Sequence, residues 1–473
     1  MKQFLTCKFK IHKPSLHKKQ VMDHALKEYT LAYGDALAWA ENNLDSVQEQ
    51  GLFRENYTGK SIARLLPSPD RALHSSAKDS LKQDVGANLA SYLELLTVAP
   101  DTSFPTCRDP SPDAIEGALE DFARCGNEDY DELRDRLLVT CRGSVMPLYF
   151  CRADGASQTK SGAARNRNFS LLWRSDKRQL LAVLYLLPMR HELSQSLNAN
   201  QGNLVRLDTG EIFNSNSKTA ILVSLEVGKN GWQEERFLKP AMNGQASIQS
   251  AFLVRDSKDY YLHVSFALKC ESKYSPRTYL GIDRGILFTA AYGLVDTSGN
   301  VIGMGHLDDE LRELQIKHGK ERERLARNGK RITKRHYKRQ AYDNILHCLV
   351  NELIAIAKEH QAQIVFEDLG VQVKGSRVVS RFRKMDKFMG YKCKMAGVPF
   401  RHVFAAYSSL ICHKCGGGME RDDRVVTCKE CGYVGHSDDN ASINIARRAL
   451  YRKGDWERKG GYRGFHRSFA NDR

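Results

Sequence analysis

Thr278-Tyr279-Leu280-Gly281-Ile282-Asp283-Arg284-Gly285 is an apolar, strand-forming run that ends on a carboxylate. A second run, Gln363-Ile364-Val365-Phe366, ends on Glu367, and Asp438 and Asp439 open the stretch His436 to Ala446, which reads as the start of a helix. Taken singly each acid is ordinary, because an Asp at a strand end serves a turn and an Asp before a helix serves as an N-cap. Together they have a physical logic. Two strand-end carboxylates and one at a helix start can converge on two Mg²⁺ ions about 4 Å apart, which activates a water and stabilises the leaving oxygen in phosphodiester cleavage. Mutual repulsion makes such a cluster costly until metal binds, a cost tolerated for function far more often than for stability.

Outward from this stretch the chain alternates strands and helices. A meander is expected over Thr278 to Asp283, Ile286 to Val295 and Val301 to Gly305, then a long helical region, then the strand ending at Glu367. Residues 311 to 340 carry twelve Lys and Arg against Glu313, Glu321 and Glu323, a basic helical rod suited to a nucleic-acid backbone. Its continuation, with Ile345, Leu349, Leu353 and Ala357 at helical spacing, is expected to pack on the sheet. Upstream, Leu16 to Leu52 and Ser80 to Val98 read as helical. Phe169 to Trp173, Leu180 to Leu187, Ala220 to Val227, Ile248 to Val254 and Tyr260 to Leu268 read as strands of a small barrel or sandwich. The first strand, to about Ile11, is expected to pair there, which makes the helical region an insertion.

The 473 residues carry 72 Lys and Arg against 56 Asp and Glu, a net charge of +16, with 41% hydrophobic and 27% charged residues. At roughly 150 residues per domain this allows about three domains, and the composition excludes a disordered tail or a membrane protein. No run approaches the ~18 apolar residues of a membrane helix, and neither a signal peptide nor an anchor is expected. The positive surplus points to a polyanionic partner. Eight cysteines are scattered singly, as in a reduced cytosolic protein, while Cys412-His413-Lys414-Cys415 and Cys428-Lys429-Glu430-Cys431 bunch the other four into two knuckles. Two such pairs close a tetrahedral Zn²⁺ site with no open position, so one structural zinc is expected. Gly416 and Gly432 follow the pairs where tight turns favour positive φ. His413 is expected to face solvent and is not counted as a ligand.

The ordered set Gly-Ile-Asp-Arg-Gly, Phe-Glu-Asp-Leu, Tyr407-Ser408-Ser409, the four-cysteine ribbon and Asp-x-Asn-Ala-x-x-Asn-Ile resembles the RuvC nuclease half of TnpB transposon nucleases and compact type V CRISPR effectors. The resemblance covers about residues 278 to 450. It implies an α+β multidomain protein: a wedge β-barrel with an inserted helical recognition lobe, then an RNase H-like RuvC domain with an inserted zinc ribbon. The implied segments are 1–13, the first barrel strand; 14–165, the lobe; 166–277, the rest of the barrel; 278–405 and 436–450, the nuclease parts; 406–435, the ribbon; and 451–473, a basic tail whose seven Lys and Arg and aromatics suit RNA. Asp283, Glu367 and Asp438 would hold two Mg²⁺, and Asp438 is preferred to Asp439 because the family acid stands two residues before Asn440.

Ser442 departs from the usual Ala, and Ser409-Leu410-Ile411 is less polar than the family's approach to the first ribbon Cys. The longer N-terminal half favours a CRISPR effector. The implied partners are a guide RNA, which reads the target by base pairing, and double-stranded target DNA with a short flanking motif. Lys334, Arg335, Lys338 and Arg339 are candidates for gripping backbone. A second copy of the chain or a large structured RNA would help cover the ~20 base-pair heteroduplex. The expected setting is the prokaryotic cytoplasm. Alternatives are a transposon-encoded guided nuclease, a guided DNA-binding protein that silences without efficient cleavage, and a zinc-ribbon DNA-binding protein with no guide.

Overall fold

The computed structural model describes residues 2–52, 59–107, 145–151, 168–195, 204–213, 219–256, 258–284, 290–307, 310–330, 339–368, 377–404 and 407–450. The chain divides into two compact units, Phe4–Leu268 and Met1–Gln3 with Lys269–Arg473.

In the first unit, strand β1 (Lys2–Ile11) buries Cys7, Phe9 and Ile11 on one face, as alternation requires. Ser15 then caps α1 (Leu16–Asn42) by accepting the N–H of Lys18. Helices α2 (Leu44–Leu52), α3 (Gly59–Leu65) and α4 (Ser75–Val98) follow. Val21, Ala25, Leu26, Tyr29, Ala32 and Tyr33 form the buried stripe of α1, and Tyr29 donates to Asp84 of α4 at 3.0 Å. Strands β2 (Leu148–Phe150), β3 (Phe169–Arg174), β4 (Gln179–Tyr185), β5 (Leu204–Arg206) and β6 (Ala220–Glu226) come next. A π-helical turn (Glu234–Leu238) runs into α5 (Lys239–Met242), and β7 (Ala246–Asp256) and β8 (Asp259–Lys269) complete the unit.

All eight strands form one sheet in the order β2-β7-β8-β1-β6-β4-β3-β5, so β1 sits in its middle with the helices α1 to α4 inserted after it. Its end strands β2 and β5 are not joined among the described residues, and the barrel expected from sequence stands here as a curled sheet. β2 falls inside the stretch expected to be helical. Three residues are too few for alternation to show, and only pairing with Ala251 to Leu253 of β7 reveals them.

In the second unit, β9 (Thr278–Asp283), β10 (Ala290–Asp296) and β11 (Val301–Leu307) are an antiparallel meander. Helix α6 (Glu310–Arg327) and α7 (Arg339–Glu359) lead to β12 (Ala362–Asp368), and α8 (Arg377–Met395) leads to β13 (Phe400–Phe404). The sheet order is β11-β10-β9-β12-β13, with β12 and β13 parallel to β9. The basic rod is therefore not one described helix. Lys334, Arg335 and Lys338 lie outside the described residues, Arg339 opens α7 with its side chain also outside them, and the tail 451–473 is outside as well. The amphipathic reading of α7 holds: Leu349, Leu353 and Ala357 are buried and Ile345 packs beside them.

Alternation along the strands decides the rest. Leu280, Ile282, Ala290, Leu294, Ile364 and Phe366 face α7 and α8 and form one core. Tyr279, Val295, Val365 and Val403 face the other way, onto Ile443, Ile445, Ala446 and Ala449 in and just after the final helix α9 (Ser437–Arg448). Gly281 and Gly293, paired across β9 and β10, lie on that second face and let α9 touch the sheet backbone. A Cβ at Gly281 would stand 2.2 Å from Ala446 N and Ser442 O, and one at Gly293 2.7 Å from Ile443 N. No helix among the described residues is long and apolar enough to cross a membrane.

Gly281→Ala is expected to cost about 1–3 kcal/mol or more through overpacking against helix backbone, read as a lowered melting temperature. Gly319→Ala, in α6 with open space around its Cβ position, is expected to be neutral or stabilising by up to about 1 kcal/mol.

Candidate functional site

The parallel register that sets Ile282 beside Phe366 puts Asp283 and Glu367 side by side at the next position, on the α9 face, where neighbouring Cβ atoms lie about 5 Å apart. Asp438 enters from the first turn of α9 above the same face. Burial, then the Glu367 carboxylate, then the Asp438 carboxylate push the Asp283 carboxyl up from 3.8 to about 8, against the opposing pull of Arg284. Burial also raises Glu367, while the Ser408 hydroxyl and the Arg448 and Arg284 guanidiniums hold it back. Glu367 Oε1 is buried and accepts no hydrogen bond. An orphaned carboxylate oxygen beside two further carboxylates is a hard oxygen donor set that fits Mg²⁺. The three acids expected from sequence thus come together. Asp439 instead turns to His306, whose Nε2 is 2.8 Å from its Oδ1.

Several neighbours were not singled out from sequence. Arg284 donates to the Glu367 carbonyl at 2.6 Å and lies over the Phe366 ring, 4.8 Å from its centroid. Arg424 approaches Asp438 at 3.8 Å. Arg448 is buried and donates to the Phe404 carbonyl. Ser408, whose hydroxyl bonds Glu367, stands in the sequence only as part of the Tyr407-Ser408-Ser409 motif, four residues before the first ribbon Cys.

The ribbon follows its spacing. Cys412, Cys415, Cys428 and Cys431 bring their sulfurs within 4.8 Å of one another, with Cys412 to Cys431 at 3.8 Å and Cys415 to Cys428 at 3.4 Å. Strands β14 (Met419–Asp422), β15 (Val425–Cys428) and β16 (Val434–His436) carry the second knuckle. Gly416 and Gly432 take φ of 76° and 67°, as the turns demand. At Cys428 burial raises the thiol, but the N–H groups of Cys431 and Glu430 and the sulfurs of Cys415 and Cys431 outweigh it and bring it to about 7, while burial pushes Cys412 to about 11. A thiol lowered toward neutral pH beside three more sulfurs fits Zn²⁺. No disulfide links the described cysteines.

The expectation for His413 is corrected. It is 6% exposed, its N–H donates to Asn440 Oδ1 at 2.8 Å, and its ring meets Tyr433 edge-on at 4.6 Å between centroids. It faces inward because the ribbon is fastened to α9 there. Asn440 and Asn444 stand four apart on one face of that helix. Asn440 Nδ2 donates to Ile411 O at 2.7 Å, and Asn444 Nδ2 to Ser408 O at 2.8 Å and Ile411 O at 2.7 Å. Arg447 donates to Gly299 O at 2.8 Å and to His413 O. The two Asn of the Asp-x-Asn-Ala-x-x-Asn motif are clamps between ribbon base and helix.

Known proteins relate to this geometry at two levels. Residues 382–445 match the family model described as the Cas12f1-like TNB domain, a span that holds both knuckles and most of α9. The chain is 26% identical over 224 residues to the CRISPR-associated endodeoxyribonuclease Cas12f2 of a Micrarchaeota archaeon, a match covering 41% of this chain and 40% of that protein. It is 25% identical over 182 residues to a TnpB-like protein of Methanocaldococcus jannaschii, covering 33% of this chain and 64% of the relative. Across its length it shares a fold with Alicyclobacillus acidoterrestris C2c1, solved in complex with single-guide RNA, at a TM-score of 0.53 and 8% identity over 95% of this chain and 88% of that one. The chain is thus similar, over part of its length, to Cas12f-type and TnpB-like proteins, and it spans 40% of the first of these and 64% of the second.

Asp283 holds a proton that the unfolded chain releases near its ordinary 3.8, so in magnesium-free buffer this group's contribution to stability is complete below about pH 4 and is lost as pH rises toward about 8. Wild-type melting temperature is expected to fall across that window more steeply than that of Asp283→Asn. Asn444→Ala, which leaves the Ser408 carbonyl without this donor, is expected to cost about 1–3 kcal/mol, read by denaturant unfolding.

Proposed function

We propose that this chain is an RNA-guided DNA endonuclease, a compact type V effector that cuts phosphodiester bonds at one site built from Asp283, Glu367 and Asp438. The observation that carries this is the convergence of these carboxylates on one sheet face, where burial and mutual repulsion keep Asp283 protonated to about 8 until a cation compensates. The donors fit two Mg²⁺ ions, which when bound would polarise a phosphate and activate a water. The protein's part is positional. Register sets Asp283 beside Glu367, α9 delivers Asp438, and Ser408, Arg284 and Arg448 hold Glu367. A Zn²⁺ held by Cys412, Cys415, Cys428 and Cys431 would stiffen the loop that Asn440 and Asn444 tie to α9.

The order of the five-stranded sheet, an antiparallel meander with two strands parallel to its first, supports an RNase H-like RuvC domain split as 278–405 and 436–450 around the ribbon 406–435. The surplus of sixteen positive charges supports a guide RNA and a target duplex with a short flanking motif as partners. Lys334, Arg335, Lys338 and Arg339 are the proposed backbone contacts, a second copy of the chain is a proposed partner, and the prokaryotic cytoplasm is the proposed setting. The TnpB-like relative favours one second reading, a transposon-encoded nuclease with the same chemistry. RNA copurifying from the native locus separates the two: repeat-derived handles joined to varied spacers mark an effector, and one RNA from an element's end marks the transposon protein.

Asp283→Ala is expected to abolish Mg²⁺-dependent cleavage of matched duplex while guided binding, measured by gel shift, stays within a few-fold of wild type. Cleavage by the variant at the wild-type rate would remove Asp283 from the site.

A further inference from the structure

A second group of metal-ligating side chains stands beside the carboxylates and is used by none of the chemistry above. His306 on β11 pairs with Ala291 of β10 and so shares the sheet face that carries α9. His436 is the N-cap of α9, and Asp439 lies in its first turn. Each offers one ligand atom, and these atoms all lie within 4.8 Å of one another. The His306 and His436 rings meet edge to face with centroids 5.4 Å apart. His306 Nε2 and Asp439 Oδ1 are 2.8 Å apart, yet that buried oxygen accepts no hydrogen bond. A simple ion pair would aim the ring N–H at the oxygen. Close donors that do not point at each other are the arrangement that converges on a third atom.

We propose that His306, His436 and Asp439 form a second transition-metal site, whose chemistry selects Zn²⁺, separate from the four-cysteine ribbon and from the three carboxylates. Two imidazole nitrogens and one carboxylate oxygen suit zinc and are a poor set for Mg²⁺. Three protein ligands leave a fourth position for water, and the His306 side chain, 30% exposed, gives the ion access. Metal bonds of about 2 Å hold neighbouring ligand atoms about 3.3 Å apart, so loading parts the 2.8 Å His306–Asp439 pair slightly and brings His436 to the same spacing, within the 4.8 Å that the ligand atoms span.

His436 Nδ1 accepts the N–H of Asp438 at 3.2 Å, and a metal on this ring competes with that cap, either by taking the nitrogen or by moving the ring proton onto it. The site therefore fills after the ribbon and empties before it. Its occupancy bears on the turn that carries Asp438, one residue away from Asp439, whatever that turn does in the wider function.

Zinc counting on the full chain tests this. Protein loaded with excess Zn²⁺ and desalted is expected to carry one zinc more per chain than His306→Ala or Asp439→Asn treated alike, and a mild chelator is expected to remove that ion first. Co²⁺ loading reports the ribbon independently, through thiolate-to-metal absorption that both variants are expected to retain at wild-type intensity. Equal zinc counts in wild type and variants overturn the site. If His306→Ala also loses the thiolate band, Asp439→Asn, which conserves side-chain volume, decides by the same count.

Discussion

Backbone contact between α9 and the five-stranded sheet is the constraint on which the rest of the second unit depends. Gly281 and Gly293 remove the Cβ atoms that would hold the helix away, and Ser442, Ile443 and Ala446 fill the space. Only at this spacing does the first turn of α9 reach over the ends of β9 and β12. The same contact leaves Asp283 and Glu367 little water of their own, so one packing decision supplies both the convergence of the acids and their raised proton affinity.

That convergence works against the fold. Three carboxylates crowd one face and one of their oxygens is an orphan, while Arg401 of β13, on the same face, donates to the Ala449 carbonyl at 3.1 Å. The molecule offsets this with fastening from elsewhere. Asn440, Asn444 and Arg447 tie α9 to backbone carbonyls of the ribbon base and of the β10–β11 turn, the two Asn through neutral amides and Arg447 through a buried guanidinium. The opposite face of the sheet is mainly apolar, with α7 and α8 packed over Leu280, Ile282, Ile364 and Phe366 and His402 pairing with Asp386 at its edge. The larger apolar core lies on one side of the sheet and the carboxylate cluster on the other.

The ribbon shows the same division on a smaller scale. Its four-cysteine end depends on residues a few positions apart, held by knuckle turns at Gly416 and Gly432. Its other end depends on His413 being pulled under α9 by Asn440, 27 positions away. A residue that reads as a solvent-facing imidazole inside a knuckle becomes a buried strut because of a partner that knuckle spacing does not reveal.

What was legible in the sequence was what chain-local geometry controls. Knuckle spacing brings two thiolates to one turn, strand alternation marks Thr278 to Asp283 and the run into Glu367, and helical spacing marks the buried stripe of α7. The motif order carries the resemblance to a known family. Tertiary structure alone decided which face of the sheet each strand-end acid occupies, that Asp438 points toward Asp283 while Asp439 points to His306, that Ser408 and Arg448 flank Glu367, and that the three-residue β2 exists at all. Those outcomes join residues tens to more than a hundred positions apart. They are set by strand register and by the direction from which a helix packs, and neither quantity leaves a period or a spacing in the chain itself.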